Sequence, residues 1–284
     1  MLPANTEAVI WIPHSDSDPL LYTHSDHATC TIHKMEVLLF VMHSHQSSAE
    51  LKASAKEHMF GRYGSAIGVH LMVSFITVFA TLSIVTFTVN TATLIGTIIH
   101  YVLLFAISVF TGLLSSGTAY FYLKIVTGQH ATANDLFCGF RMYTDKALTV
   151  QAWISLITYI CSLPEYIVLY RMSERPDAAA LTIYGLCMLL SGIVTLLLAV
   201  FYAPAFFLLH DFPQYTAKEL LTRSRKLMSG NKGRLFYIYL SYIPLLFLGT
   251  LSCGIALLWV IPYMNATLAE FYMDIIRNRS NRTN

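Results

Sequence analysis

Three ionisable side chains stand inside long apolar runs of this chain, and their types set what chemistry it could do. Glu165 directly follows Pro164. A proline leaves a helix carbonyl without its donor, so a carboxylate beside it could serve a proton or a cation. Glu165 also has a plainer placement close to the outer headgroups, because Arg171 is only a few residues further on. His70 and His100 are imidazoles that could move protons, or sit neutral and hydrogen-bonded to neighbouring Ser or Thr hydroxyls. Lys124, Glu270 and Asp274 lie near the ends of such runs. Ionisable groups inside a span are functional candidates because uncompensated burial costs several kcal/mol.

A second group is basic. Lys218, Arg223, Arg225, Lys226, Lys232 and Arg234 fall in one short segment with a single acid, Glu219. Such a cluster marks a cytoplasmic segment, and it also suits binding of anionic phospholipid headgroups. Both readings can hold together. No H-E-x-x-H, G-x-S-x-G, P-loop or paired-carboxylate motif occurs, so a membrane-embedded enzyme is the weakest reading and no catalytic residue is assigned. Five widely scattered cysteines read as small packing residues, and the spacing of His14, His24, His27 and His33 matches no compact metal site. Neither metal nor cofactor is expected. A net charge of +2 is too small to suggest a nucleic-acid partner.

The elements that must position these groups follow from hydropathy. Tyr63 to Leu123 is a run of 61 residues without Asp, Glu, Lys or Arg. One bilayer crossing needs about 20 apolar residues, so this run predicts two crossings with a polar connection around Asn90, Thr91 and Thr93. Further apolar runs cover Ala178 to His210 and Leu235 to Ala269, in a chain that is 55% hydrophobic and 12% charged with a mean hydropathy of +0.56. Pro204, Pro244, Gly249, Gly254 and Pro262 are expected to interrupt the later spans, mainly to let helices pack closely. Residues 1–46 read as a poorly structured N-terminal extension. Met35-Glu36-Val37 can be encoded with a GGAGG ribosome-binding sequence, so translation is expected to begin near Met42.

Capping signals divide the remainder into units. Ser47-Ser48-Ala49-Glu50 is a capping box, and Leu51, Ala55, His58 and Met59 then share one helical face. The pattern recurs 169 residues later at Thr216-Ala217-Lys218-Glu219, where Glu219, Leu220, Met228, Gly230 and Gly233 match Glu50, Leu51, Met59, Gly61 and Gly64. A fainter third copy begins at Thr132-Ala133-Asn134-Asp135. The expected fold is therefore all-α, a polytopic membrane bundle of about six transmembrane helices in three hairpins, each preceded by a short cytoplasmic interfacial helix. The hairpins are Ala66–Val89 with Leu94–Leu123, Ala147–Tyr170 with Ala179–Leu209, and Leu235–Leu248 with Ile255–Tyr272. The fifth arm is short, about 14 residues or roughly 21 Å. Residues 47–274 form one membrane domain and 275–284 a basic cytoplasmic tail.

Charge decides between five and six crossings. From Met42 onward, six crossings with both termini cytoplasmic place fifteen Lys and Arg inside and leave only Arg171 and Arg175 outside. Treating Leu235–Tyr272 as one span reduces the ratio to twelve against five. The positive-inside rule selects six.

The C-terminal third carries a resemblance. Ser224-Arg225-Lys226-Leu227-Met228-Ser229-Gly230-Asn231-Lys232-Gly233-Arg234-Leu235-Phe236, then Leu240-Ser241-Tyr242-Ile243, Leu258-Trp259-Val260-Ile261-Pro262-Tyr263 and Ala269-Glu270-Phe271-Tyr272, resemble the bacterial integral membrane family catalogued as domain of unknown function 975. Glu50-Leu51-Lys52-Ala53 with Ala55-Lys56-Glu57, and Asp135-Leu136-Phe137 with Gly139-Phe140, also look like that family, so the likeness runs from about Ser47 to Asp274. Leu163-Pro164-Glu165 departs from the family's Ile-Pro-Gly-type element. The resemblance implies a multi-pass protein of the bacterial cytoplasmic membrane and carries over no catalytic residues. The leading expectation is a non-enzymatic protein acting in membrane or envelope organisation, or as an accessory to other membrane proteins. The alternative is a small-solute or ion transporter built from repeated hairpins.

Overall fold

The structure, a computed structural model, describes residues 46–88, 94–174 and 178–283. The N-terminal extension, the connection around Asn90, Thr91 and Thr93, and Arg175 lie outside the described residues. The described residues are all helical apart from turns. In chain order they form α1 (Ser48–Met59), α2 (Tyr63–Thr88), α3 (Leu94–Val126), a 3-10 turn (Ala133–Phe137) running into α4 (Cys138–Arg141), α5 (Thr144–Glu174), α6 (Ala178–Tyr202), α7 (Ala205–Asp211), α8 (Ala217–Met228), α9 (Lys232–Leu251) and α10 (Leu257–Thr283).

Five helical segments among them are long and apolar enough to cross a membrane: Tyr63–Phe87, Ile95–Val126, Thr144–Leu169, Ala178–Asp211 and Lys232–Leu251. The chain is a multi-pass helical membrane protein. The fifth arm is longer than the hydropathy suggested, because helix continues from Lys232 to Leu251 through Pro244. Twenty residues rise about 30 Å, enough for a hydrocarbon core. Prolines at 164, 244 and 262 all stay inside helices, and Pro204 marks a break between α6 and α7. α9 and α10 are joined by a turn through Cys253 and Gly254 with φ of 53° and 88°. The basic tail is no separate arm up to its penultimate residue, since α10 runs on to Thr283.

All three capping boxes form. Ser47 Oγ accepts from the Glu50 amide while a Glu50 carboxylate oxygen accepts from the Ser47 amide at 2.7 Å. Thr216 and Glu219 repeat the exchange, and the Asp135 carboxylate accepts from the Thr132 amide at 2.7 Å. α1 and α8 are each 12 residues long and end at the same register, with Gly61 at φ +74° and Gly230 at φ +91°. Only glycine adopts that left-handed turn without strain, which explains why the repeat keeps it.

The apolar faces of α1 and α8 do not lie against lipid. Leu51, Ala55 and Met59, and their equivalents Leu220, Ser224 and Met228, are all fully buried inside the bundle. α1 packs chiefly on α10, and α8 on α5, α6 and α7. Burying a Leu or Met side chain stabilises by roughly 1.5–3 kcal/mol, so the Leu and Met of each trio hold the helix to the bundle end. A short amphipathic helix read from sequence can bury its face in lipid or in protein; here the protein takes it.

The third copy is tighter. A Cβ at Gly117 of α3 would stand 1.7 Å from the Leu136 carbonyl oxygen, and one at Gly139 would stand 2.1 Å from that of Leu113. The segment 132–141 therefore lies against the α3 backbone, pinned further by Lys124 Nζ donating to Asp135 at 2.8 Å. Burial alone would raise the Asp135 carboxyl, but its bonds from Lys124 and Thr132 outweigh that and hold it below the usual range.

Candidate functional site

Helices α2, α3, α7 and α10 line a half-open pocket of about 410 Å³. α3 contributes Thr111, Ser115, Thr118 and Tyr122, which recur at steps of four, three and four and so share one face. α2 contributes His70 and Thr77, and α10 contributes Asn265. Val73, Leu114, Phe207 and Leu268 supply apolar wall. The cavity sits in the half of the bundle nearest the docked helices α1 and α8, because His70 is seven residues into α2 and Tyr122 four from the end of α3.

The polar groups have a defined sense. Thr111, Ser115 and Thr118 each donate their hydroxyl proton to a carbonyl of α3, at 2.7, 3.0 and 2.8 Å, and Thr77 donates to Val73 at 2.8 Å. Their oxygens remain free to accept. Tyr122 differs: it is 1% exposed, and among the described residues its hydroxyl makes no hydrogen bond of good geometry, the Asn265 amide being the polar group beside it. A buried unsatisfied hydroxyl costs about 1–3 kcal/mol, so it is the kind of atom a ligand or water satisfies. His70 Nε2 is 3.5 Å from Ser74 Oγ.

Glu165 is elsewhere, on α5. One of its carboxylate oxygens accepts from Ser191 Oγ of α6 at 3.0 Å. Ser191 is thirteen residues into α6, about 20 Å along its axis, and Glu165 is nine residues, about 14 Å, from the end of α5. Glu165 thus stands four residues inside the end of the apolar segment Thr144–Leu169. Tyr101 and Tyr166, whose rings are 4.5 Å apart, lie near this carboxylate. His100 meets Tyr101 edge-on at 5.3 Å. The structure thus brings His100 and Glu165 to one region through a tyrosine pair, and sets His70 apart at the cavity.

The six basic residues divide. Lys218, Arg223, Arg225, Lys226 and Lys232 are exposed, whereas Arg234 is half-buried. Arg234 donates through Nη2 to Asp274 at 2.8 Å and to the Gln46 carbonyl at 2.7 Å, joining α9, α10 and the strand of chain entering α1. Arg225 donates to the Tyr202 hydroxyl at 2.6 Å and Arg223 covers the Tyr215 ring at 3.9 Å. Arg234 is thus committed to the fold and five cations face outward. At the same end His58 Nδ1 lies 2.5 Å from a Glu270 oxygen, Tyr272 donates to Asp211 at 2.6 Å, and His210 Nε2 lies 2.9 Å from the Ser116 carbonyl. Among the described residues no group of three His, Cys, Asp or Glu could hold a metal ion, and the four described cysteines are free thiols.

The α3 stripe was missed from sequence, where attention went to ionisable groups. Its signal was present: polar residues at helical spacing inside a charge-free run. The model of the family described as "Protein of unknown function (DUF975)" matches residues 42–279. No curated protein and no solved structure matches the chain.

Proposed function

We propose, for a chain that belongs to this DUF975 family, a non-enzymatic role in organising the bacterial cytoplasmic membrane, in which a rigid basic face gathers anionic phospholipid headgroups beside other membrane proteins. The protein crosses six times with both termini cytoplasmic, α10 supplying the sixth crossing. The observation that carries the reading is the pairing of buried and exposed faces on α8. Its apolar face is used up by the bundle, so Lys218, Arg223 and Lys226 are held at the bundle end by packing rather than by lipid. Each cation near an anionic surface is worth about 1 kcal/mol, and the attraction fades within a Debye length.

The test uses the full chain in nanodiscs of mixed phosphatidylglycerol and phosphatidylcholine, with retained lipid counted by native mass spectrometry. Phosphatidylglycerol should be enriched around the protein, and the triple change Lys218→Gln, Arg223→Gln, Lys226→Gln should remove most of the enrichment. Undiminished enrichment would leave the basic residues as topology signals alone.

A second reading, transport of a small solute or ion, is favoured by the carboxylate of Glu165 held on Ser191 within the span. Glu165→Gln preserves shape and removes the charge. It should leave expression intact and abolish any solute-dependent phenotype; loss of folding would assign Glu165 a structural part.

A further inference from the structure

We infer that the α2–α3–α10 cavity is a binding site for the uncharged, hydroxyl-bearing head of a neutral lipid of the diacylglycerol type. It goes beyond the basic face, from which it is separate.

The chemistry of the lining selects the ligand. Thr111, Ser115 and Thr118 line the space and have already given their protons to α3 carbonyls, so what their oxygens retain is the capacity to accept. A ligand must therefore bring donors, as hydroxyls do. Tyr122 offers the complement, a buried phenol that makes no well-formed hydrogen bond among the described residues, next to the Asn265 amide. One glycerol-like head can donate to the first set and accept from the second.

Charge argues the same way. Among the described residues no carboxylate, lysine or arginine lines the cavity, and His70 is the one lining group whose ordinary pKa lies near neutral pH. Burying a phosphate among accepting oxygens, or a cation without a carboxylate, would leave a charge unpaired in a low-dielectric site. An uncharged head meets no such cost. The apolar remainder of the lining, from Val73, Leu114 and Phe207, suits the start of acyl chains rather than a free polyol. A volume of about 410 Å³ lies within the range of small-molecule sites.

The test is photolabelling of the full chain in phosphatidylcholine nanodiscs with a diazirine-bearing diacylglycerol, the labelled peptides being mapped by mass spectrometry. Label should concentrate in 109–126 and 257–270. Unlabelled dioctanoylglycerol should compete it away at least tenfold better than free glycerol or dioctanoyl phosphatidylglycerol. Tyr122→Phe removes one hydrogen bond and should weaken competition about three- to tenfold. Thr118→Leu places a larger side chain in the space and should abolish labelling, with Asn265→Leu as a second filling variant; each is scored only as a monodisperse, helical protein. Equal competition by free glycerol would overturn the lipid assignment, and equal competition by phosphatidylglycerol would overturn its neutrality. Label spread over all helices, or unaffected by both filling variants, would overturn the site itself.

Discussion

Gly117 of α3 lies so close to Leu136 that a Cβ on the glycine would stand 1.7 Å from the leucine carbonyl oxygen. The short segment between α3 and α5 is thereby laid directly on the α3 backbone, at a residue adjacent to cavity residue Thr118 and two from Ser115.

Gly117→Ala should therefore push the 133–141 segment off α3. Overpacking against rigid backbone costs about 1–3 kcal/mol and sometimes more, so the thermal midpoint in detergent should drop by several degrees. Gly139→Ala should behave similarly, since its Cβ would meet the Leu113 carbonyl at 2.1 Å. Gly185→Ala on α6 meets nothing within 4 Å and should be neutral or mildly stabilising. Equal tolerance of all three would refute the close packing.

Much of this architecture was legible because it depends on short-range rules. Capping boxes at Ser47 and Thr216 and the glycines at 61 and 230 announce helix ends locally, and the structure places them 169 residues apart in the same register. What a face packs against is a long-range matter. Leu51 and Leu220 read as membrane-surface residues until tertiary contacts show them inside protein. Glu165 is similar: its partner Ser191 stands 26 residues on, a pairing that no local rule announces. Arg234 looked like one more lipid-facing cation, and only Asp274, 40 residues away, shows otherwise.

Topology is testable with a native residue. Cys253 is exposed in the turn between α9 and α10, which six crossings place outside. A membrane-impermeant maleimide should label Cys253 in intact cells, and also Arg171→Cys. In a Cys253→Ser background it should not reach Ser229→Cys or Arg279→Cys until the membrane is permeabilised. External labelling at Arg279→Cys would reduce the crossings to five.

The Asp135 carboxylate gives a pH dependence. Its folded pKa lies below the ordinary value of 3.8, because bonds from Lys124 and Thr132 outweigh the opposing effect of burial. A depressed carboxylate contributes stability above its unfolded pKa and loses it as pH falls through the folded one. The thermal midpoint should thus gain from this pair at neutral pH and lose that gain below about pH 4. Lys124→Gln should lower the neutral-pH midpoint and flatten the acid-side loss; an unchanged acid profile would show that the ion pair does not contribute.

Arg234 and Asp274 should show strong coupling. Arg234 Nη2 bonds both Asp274 and the Gln46 carbonyl, while the Gln46 amide donates to the other Asp274 oxygen at 3.2 Å. The aspartate side chain is 5% exposed and the arginine 25%, so removing either partner strands a charge that is largely out of water. Such losses reach about 3–5 kcal/mol in fully buried pairs, and the partial exposure here places the expectation toward the lower end. Asp274→Ala and Arg234→Ala should each destabilise the protein, and the double variant should be less damaging than the sum of the two, because it leaves neither charge alone. The readout is the thermal midpoint together with proteolysis near residue 46, which should accelerate in Arg234→Ala as the chain entering α1 loses its anchor. Additive effects with unaltered proteolysis would mean that the three elements are held together by the buried faces of α1 and α9 alone.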